Sequence, residues 1–249
     1  MSSVDGEDEP PLGAIVCLGN RVCIRSVAGG GHWYSEKHNR FGGAEWYAMY
    51  ADQNSTRHLC LEDLVMFLDR DGSDGSPAHS RPHVGERASP PATSQLAYNR
   101  YVSLRSMTAS KRGGRFLDGS HSYALWGKGR EALQDKAAQR DQRYLFRVCS
   151  AVYDEEDDSW SPDPAAAGEE VRYGALVLIE VDYQEEKHLV DTQYLSAHHG
   201  WLQPSSHLTD ACVFELLQPN VDMLATSDPS EYEGLPDEVR DTPAATVHA

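Results

Sequence analysis

The feature that most constrains this chain is an internal threefold repetition. The middle copy is the clearest: Asn99-Arg100-Tyr101-Val102-Ser103-Leu104-Arg105-Ser106, a turn through Gly113-Gly114, then Arg115-Phe116-Leu117-Asp118-Gly119, closing on Tyr144-Leu145-Phe146-Arg147-Val148. The opening alternates polar and apolar residues, the period of a half-buried strand, and the glycine pair supplies the positive φ that a hairpin needs. The first copy runs from Asn20 to Ser26, through Gly29-Gly30-Gly31, to His32-Trp33-Tyr34; the third runs from Tyr173 to Ile179 and on to Lys187-His188-Leu189-Val190. Val22, Val102 and Leu176 serve as equivalent starts. A second apolar station (Tyr34, Leu117, Leu189) then follows 12, 15 and 13 residues later, and a third (Trp46, Leu125, Trp201) 24, 23 and 25 later. A fourth (Phe67, Phe146, Phe214) follows 45, 44 and 38 later. Three four-strand units of this kind are a repeat architecture, which limits the fold before any local motif does.

Three such units resemble a β-trefoil, a closed six-stranded barrel capped by three hairpins, and closure suits a sequence of many short strands because it leaves few sheet edges. Two trefoil families share short stretches with this chain. Val102-Ser103-Leu104-Arg105-Ser106 followed by Gly114-Arg115-Phe116-Leu117 resembles the repeat signature of fascin-type trefoils. Val171-Arg172-Tyr173-Gly174-Ala175-Leu176-Val177-Leu178 is similar to the opening of MIR modules and of the amino-terminal trefoils of inositol trisphosphate and ryanodine receptors, as is the predicted hairpin from Ile15 to Ile24, turning at Gly19-Asn20. The resemblance implies an all-β domain over residues 12–219, with units at about 12–70, 96–153 and 170–219.

Composition sets the remaining boundaries. Apolar residues make up only 40% of the chain, so a sizeable share is expected outside the core. Residues 1–11 read as an acidic tail and 220–249 as another; 71–95, rich in Gly, Ser and Pro, and 154–169, opened by five consecutive acids, read as polar linkers that cannot offset their ordering entropy by burial. One segment, Gly129 to Arg143, has helix formers and no breaker, and predicts at most one short inserted helix. Five cysteines without a framework predict reduced thiols and a cytoplasmic protein. The acidic amino terminus does not read as a secretory signal, and no apolar run approaches the ~20 residues of a membrane span.

Catalytic and metal motifs are absent from this sequence. His198-His199 with Cys212 lacks zinc-site spacing; His32 and His38 stand six apart without a partner pair; His79 and His83 fall in a predicted linker. There is no nucleophile elbow, no phosphate-cradling glycine motif with Lys and no His-Glu-x-x-His. Ser122 or Cys149 would be nucleophiles on residue type alone. The reading is therefore not an enzyme, with no cofactor and no metal.

Charge is more informative. The chain carries a net −17, which argues against general nucleic-acid binding. Residues 99–148 nevertheless hold eleven Lys and Arg against four acids, a net +7, while the remainder stands at −24. Such asymmetry creates a directional field. The expected function is a non-enzymatic protein-interaction module whose basic middle unit faces an acidic partner, such as a tubulin or actin surface. Arg105, Lys111, Arg112, Arg115, Lys128 and Arg130 are the expected contact residues. Receptor-type trefoils occur in axonemal proteins, which by analogy extends the cytoskeletal setting to the cilium. The alternative is a trefoil that binds an inositol phosphate or a carbohydrate. A screening role for the basic unit, toward the acidic 154–158 run and the tails, is the structural counterpart of both.

Overall fold

The computed structural model describes residues 13–38, 45–51, 59, 63–70, 95–106, 115–119, 123–126, 143–181 and 192–219. The chain is all-β, with thirteen strands among the described residues. The first unit supplies β1 (Arg21–Ser26), β2 (Trp33–His38), β3 (Glu45–Tyr50) and β4 (Val65–Asp69). The second supplies β5 (Tyr101–Ser106), β6 (Arg115–Asp118), β7 (Leu125–Trp126), β8 (Phe146–Asp154) and β9 (Ser159–Pro162). The third supplies β10 (Leu176–Val181), β11 (Gln193–His198), β12 (Trp201–Ser205) and β13 (Val213–Leu217). Among the described residues there is no α-helix; a 3-10 turn at Asp210–Cys212 leads into β13. The expected tails, the linker 71–94 and the expected helix, but for Arg143, lie outside the described residues.

Six strands are linked by antiparallel pairings in the order β1, β4, β5, β8, β10, β13 and back to β1. Two of these junctions, β1–β4 and β5–β8, extend over only two residue pairs each. The registers repeat from unit to unit. Val22 faces Val65, Val102 faces Phe146 and Val177 faces Phe214. Across the following junctions Val65 faces Ser106, Phe146 faces Val181 and Phe214 faces Ser26. This corrects two stations of the sequence reading. Val177, fully buried, and not the half-buried Leu176, matches Val22 and Val102. Val65, and not Phe67, matches Phe146 and Phe214; Phe67 matches Val148 and Leu216. Val65 and Phe67, two apart on β4, share a face and both bury, so spacing alone could not separate them.

The segments that precede β1, β5 and β10 repeat as well. Val16 N–H donates to Val171 O (2.9 Å), Val171 N–H to Leu96 O (2.9 Å) and Leu96 N–H to Val16 O (2.8 Å), a three-membered cycle among fully buried residues. Each segment then turns through a residue with positive φ: Gly19 at 84°, Asn99 at 62° and Gly174 at 88°. Glycine reaches this region without a Cβ clash, and asparagine is among the few side chains that tolerate it. The N–H of each turn residue donates onward, to Phe67 O, Val148 O and Leu216 O at 2.8, 2.7 and 2.7 Å. The Gly19 turn is therefore real, but its arms do not form the predicted hairpin. Ile15 bridges to Arg172 and Cys17 to Gln95, so the entry segment pairs with the other two units.

Three further hairpins, β2–β3, β6–β7 and β11–β12, meet one another at β3–β7 and β3–β12. Ala48 N–H donates to Ala124 O and Ala124 N–H to Leu202 O, which aligns these residues. The residue before each is aromatic: Tyr47, Tyr123 and Trp201. These correct the predicted Trp46 and Leu125. On the partner strands the core positions are Trp33, Leu117 and Leu195, each opposite the residue two past that alignment point. Tyr34 is half-buried, and Leu189 lies outside the described residues. Trp33 packs edge-on against Phe214 with centroids 5.1 Å apart, inside one contiguous core that also holds Phe67, Phe146 and Leu216.

Between the second and third units, where composition predicts a linker, the structure forms a hairpin. β8 continues to Asp154 and pairs with β9, and the acidic run is its tip, with Asp158 at φ 49°. Asp154 Oδ1 accepts from the N–H of Glu156 (2.9 Å) and Asp157 (3.3 Å), which locks the turn locally.

Candidate interaction surface

The basic unit begins on β5. Strand alternation points Val102 and Leu104 into the core and turns Arg105 outward, where it is half-buried. β6 pairs with β5 so that Arg105 faces Phe116 and Ser106 faces Arg115. Facing residues share a side of the pair and neighbours alternate, so position 115 falls on the side of Ser106, opposite that of Arg105. Lys111 and Arg112 belong to the connection between these strands, and Lys128 and Arg130 follow β7; all four lie outside the described residues. Of the six expected contact residues, two lie among the described residues, and the register does not bring them to one face.

Two other cations of this unit are engaged within the fold. Arg100 Nη2 donates to Asp69 Oδ2 at 2.8 Å, tying the second unit to the first, and its Nη1 donates to Gln95 O at 3.2 Å. Arg147 ties the second unit to the third: its Nε donates to Glu180 Oε2 at 3.1 Å, and its Nη2 meets Glu180 Oε1. The guanidinium also lies over the Tyr101 ring, 5.7 Å from the centroid. Hydrogen bonding to Glu180 raises the already high pKa of Arg147. The acidic tip at 154–158, by contrast, has its described hydrogen bonds within its own hairpin.

The same outward position recurs at all three junctions between units. Arg25 faces and pairs with Glu215, Glu180 faces and pairs with Arg147, and Arg105 faces Met66. The sign of the pair is reversed between the first two. At the third, the register places an apolar residue where the others carry the countercharge. Spacing could have revealed these pairs only after the registers were known, which is why the sequence reading missed them.

Beneath the Arg147–Glu180 pair lies the strongest thiol environment. Cys149 Sγ is 3.2 Å from Asn99 Oδ1 and 3.8 Å from Glu180 Oε2. Burial first, and the Glu180 charge second, push its pKa up to about 12. Burial likewise pushes Cys23 up to about 12, and burial followed by the Glu180 charge pushes Tyr194 up to about 12. A thiol this hard to ionise is a poor nucleophile at neutral pH. Cys17, Cys23, Cys149 and Cys212 are in no disulfide. Ser122 lies outside the described residues.

At the hairpin end, Trp201 contacts both Tyr47 (5.2 Å, edge-on) and Tyr123 (5.4 Å). The aromatic residues of the three units therefore converge. The His198 and His199 rings lie 4.0 Å apart with their planes tilted by 57°, and His198 faces Trp201 across the strand pair. Among the described residues, no group of three or more His, Cys, Asp or Glu gathers to hold a metal ion, and no helix is long and apolar enough to cross a membrane.

No protein-family model matches the chain, and no curated protein matches it. Among solved structures it is similar to a protein of unknown function from Caenorhabditis elegans, at 13% identity and a TM-score of 0.47, over 86% of this chain and 99% of that one.

Proposed function

We propose that this chain is a β-trefoil that works as a non-enzymatic protein-interaction module of the cytoplasm, within a cytoskeletal assembly such as the cilium, and that its basic middle unit docks on an acidic protein surface of the tubulin or actin kind. Support for the trefoil comes from the repeated registers, the three-membered cycle of Val16, Leu96 and Val171, and the three hairpins that meet one another. The observation that carries the docking face is the charge of this unit, eleven Lys and Arg against four acids over residues 99–148, with Arg105 on the outer side of β5. Arg100 and Arg147 are held by Asp69 and Glu180, so the proposed contacts are Arg105, Lys111, Arg112, Arg115, Lys128 and Arg130.

The test is affinity capture from a cell extract with the wild-type chain and with Lys111→Glu, Arg112→Glu and Lys128→Glu combined. Loss of acidic partners from the variant, with an unchanged unfolding transition, supports the reading, because exposed charges contribute little to stability. Equal capture by both chains overturns it. The same cations would also suit a polyphosphate, so the wild-type chain is titrated with inositol hexakisphosphate in parallel. A saturable heat that the triple variant loses moves the assignment to a ligand-binding trefoil.

A further inference from the structure

The β8–β9 hairpin carries a second surface, of opposite sign. Tyr153 and Trp160 face each other across the strand pair, ring centroids 5.1 Å apart and planes at 51°. Trp160 rests on the outer cluster of Cys149, Leu178, Cys212 and Val213, and its Nε1–H donates to Asp210 Oδ1 at 2.6 Å. Tyr153 is 42% exposed and donates its O–H to Asp158. The aromatic pair is thus held rigid and bracketed by two carboxylates. Asp154, Glu155, Glu156 and Asp157 stand exposed at the same tip, and no Lys, Arg or His occurs between Ala151 and Gly168. Among the described residues β9 pairs with β8 alone.

We propose that this face docks a Lys- or Arg-rich segment of a protein partner, one cationic side chain lying on the Tyr153–Trp160 rings and its neighbours meeting the surrounding carboxylates. The choice of occupant follows from charge. A ring face attracts a cation, and two rings fixed side by side offer a broad one at little ordering cost. Asp158 and Asp210 each give one hydrogen bond site to the rings and keep acceptor capacity for a guanidinium or ammonium. An acidic segment would meet only repulsion here. The surface rests on observations separate from those behind the basic hairpin, so either can fail without the other.

The test is fluorescence anisotropy of a short labelled peptide of alternating Arg and Ser against the full chain, with a matched Glu and Ser peptide as control. Saturable binding of the basic peptide is expected. Tyr153→Ala should weaken it roughly 3- to 30-fold, the range of a partly desolvated cation–ring contact, while Tyr153→Phe, which keeps the ring, stays within about twofold of wild type. Asp158→Asn should weaken it, and Glu169→Gln with Glu170→Gln, which removes charge elsewhere, should not. Unchanged affinity in Tyr153→Ala overturns the proposal. So does an equal loss in the Glu169 and Glu170 variant, which would reduce the binding to the net charge of the chain.

Discussion

Arg147 on β8 stands directly across from Glu180 on β10 and holds it through both its Nε and an Nη nitrogen. The pair lies at a junction between units, with Glu180 almost fully covered, so breaking it strands a carboxylate. Arg147→Met should lower stability by about 2 kcal/mol, within the range for a charged hydrogen bond. Adding Glu180→Met should restore part of that loss. Urea midpoints at constant slope measure both, and strictly additive losses would mean that the two side chains do not act as a pair.

The repeated register makes a different forecast for the aromatic core. Phe146 and Phe214 occupy one equivalent position, so Phe146→Ala and Phe214→Ala should each cost about 3 to 5 kcal/mol. The first unit fills the same position with Val65, and Val65→Ala should cost distinctly less because fewer methyl groups are lost. Phe67→Ala should again fall in the large range, at the position shared with Val148 and Leu216. A near-zero loss at Phe146 or Phe214 would remove that unit from the register.

Gly119 comes so close to the core that a Cβ there would stand 2.7 Å from Val181 Cγ1 and 3.2 Å from Phe146 Cε1. Gly119→Ala should therefore destabilise by about 1 to 3 kcal/mol through overpacking. Combining it with Val181→Ala should relieve most of the loss, and thermal unfolding of the two variants would show whether it does.

Buried acids of high pKa set the behaviour in alkali. Cys23 and Cys149 rise from 9.0, and Tyr194 from 10.0, to about 12 in the folded chain. Above pH 9 the unfolded chain loses these protons while the folded one keeps them. Stability should be intact below about pH 9 and fall steadily toward pH 12. A thiol reagent at pH 8 should modify the half-buried Cys17 well before Cys23 or Cys149 in the native protein. Rapid labelling of Cys149 without unfolding would contradict its burial.

How much of this was legible in the chain follows from which residues repeat. The three units, the strand content and the interior placement of Phe146 and Phe214 could be read from alternation and spacing, because burial on one face leaves that trace. Register could not: Val65 and Phe67 share a face, and only the strand opposite distinguishes them. The Gly19 turn was visible through its residue types, whereas the partners of Ile15 and Cys17 come from units about 80 and 155 residues away, and no local pattern encodes them. The β8–β9 hairpin was hidden by its acidic tip, although Ala151-Val152-Tyr153 and Ser159-Trp160-Ser161-Pro162 on either side have strand-like composition. Of the expected contact residues, Arg105 and Arg115 are described and fall on opposite sides of the β5–β6 pair, and the side chains that hold Arg100 and Arg147 became evident only with the fold.

The most direct test of the account concerns the cycle in which each unit grips the next, since the position of the basic hairpin follows from it. Scalar couplings through hydrogen bonds, measured by NMR on uniformly labelled protein, should link the Val16 amide to the Val171 carbonyl, the Val171 amide to the Leu96 carbonyl and the Leu96 amide to the Val16 carbonyl. All three couplings together are the predicted result. Amides of Val16 and Leu96 that couple instead to carbonyls within their own units would contradict the threefold arrangement and the interaction face built on it.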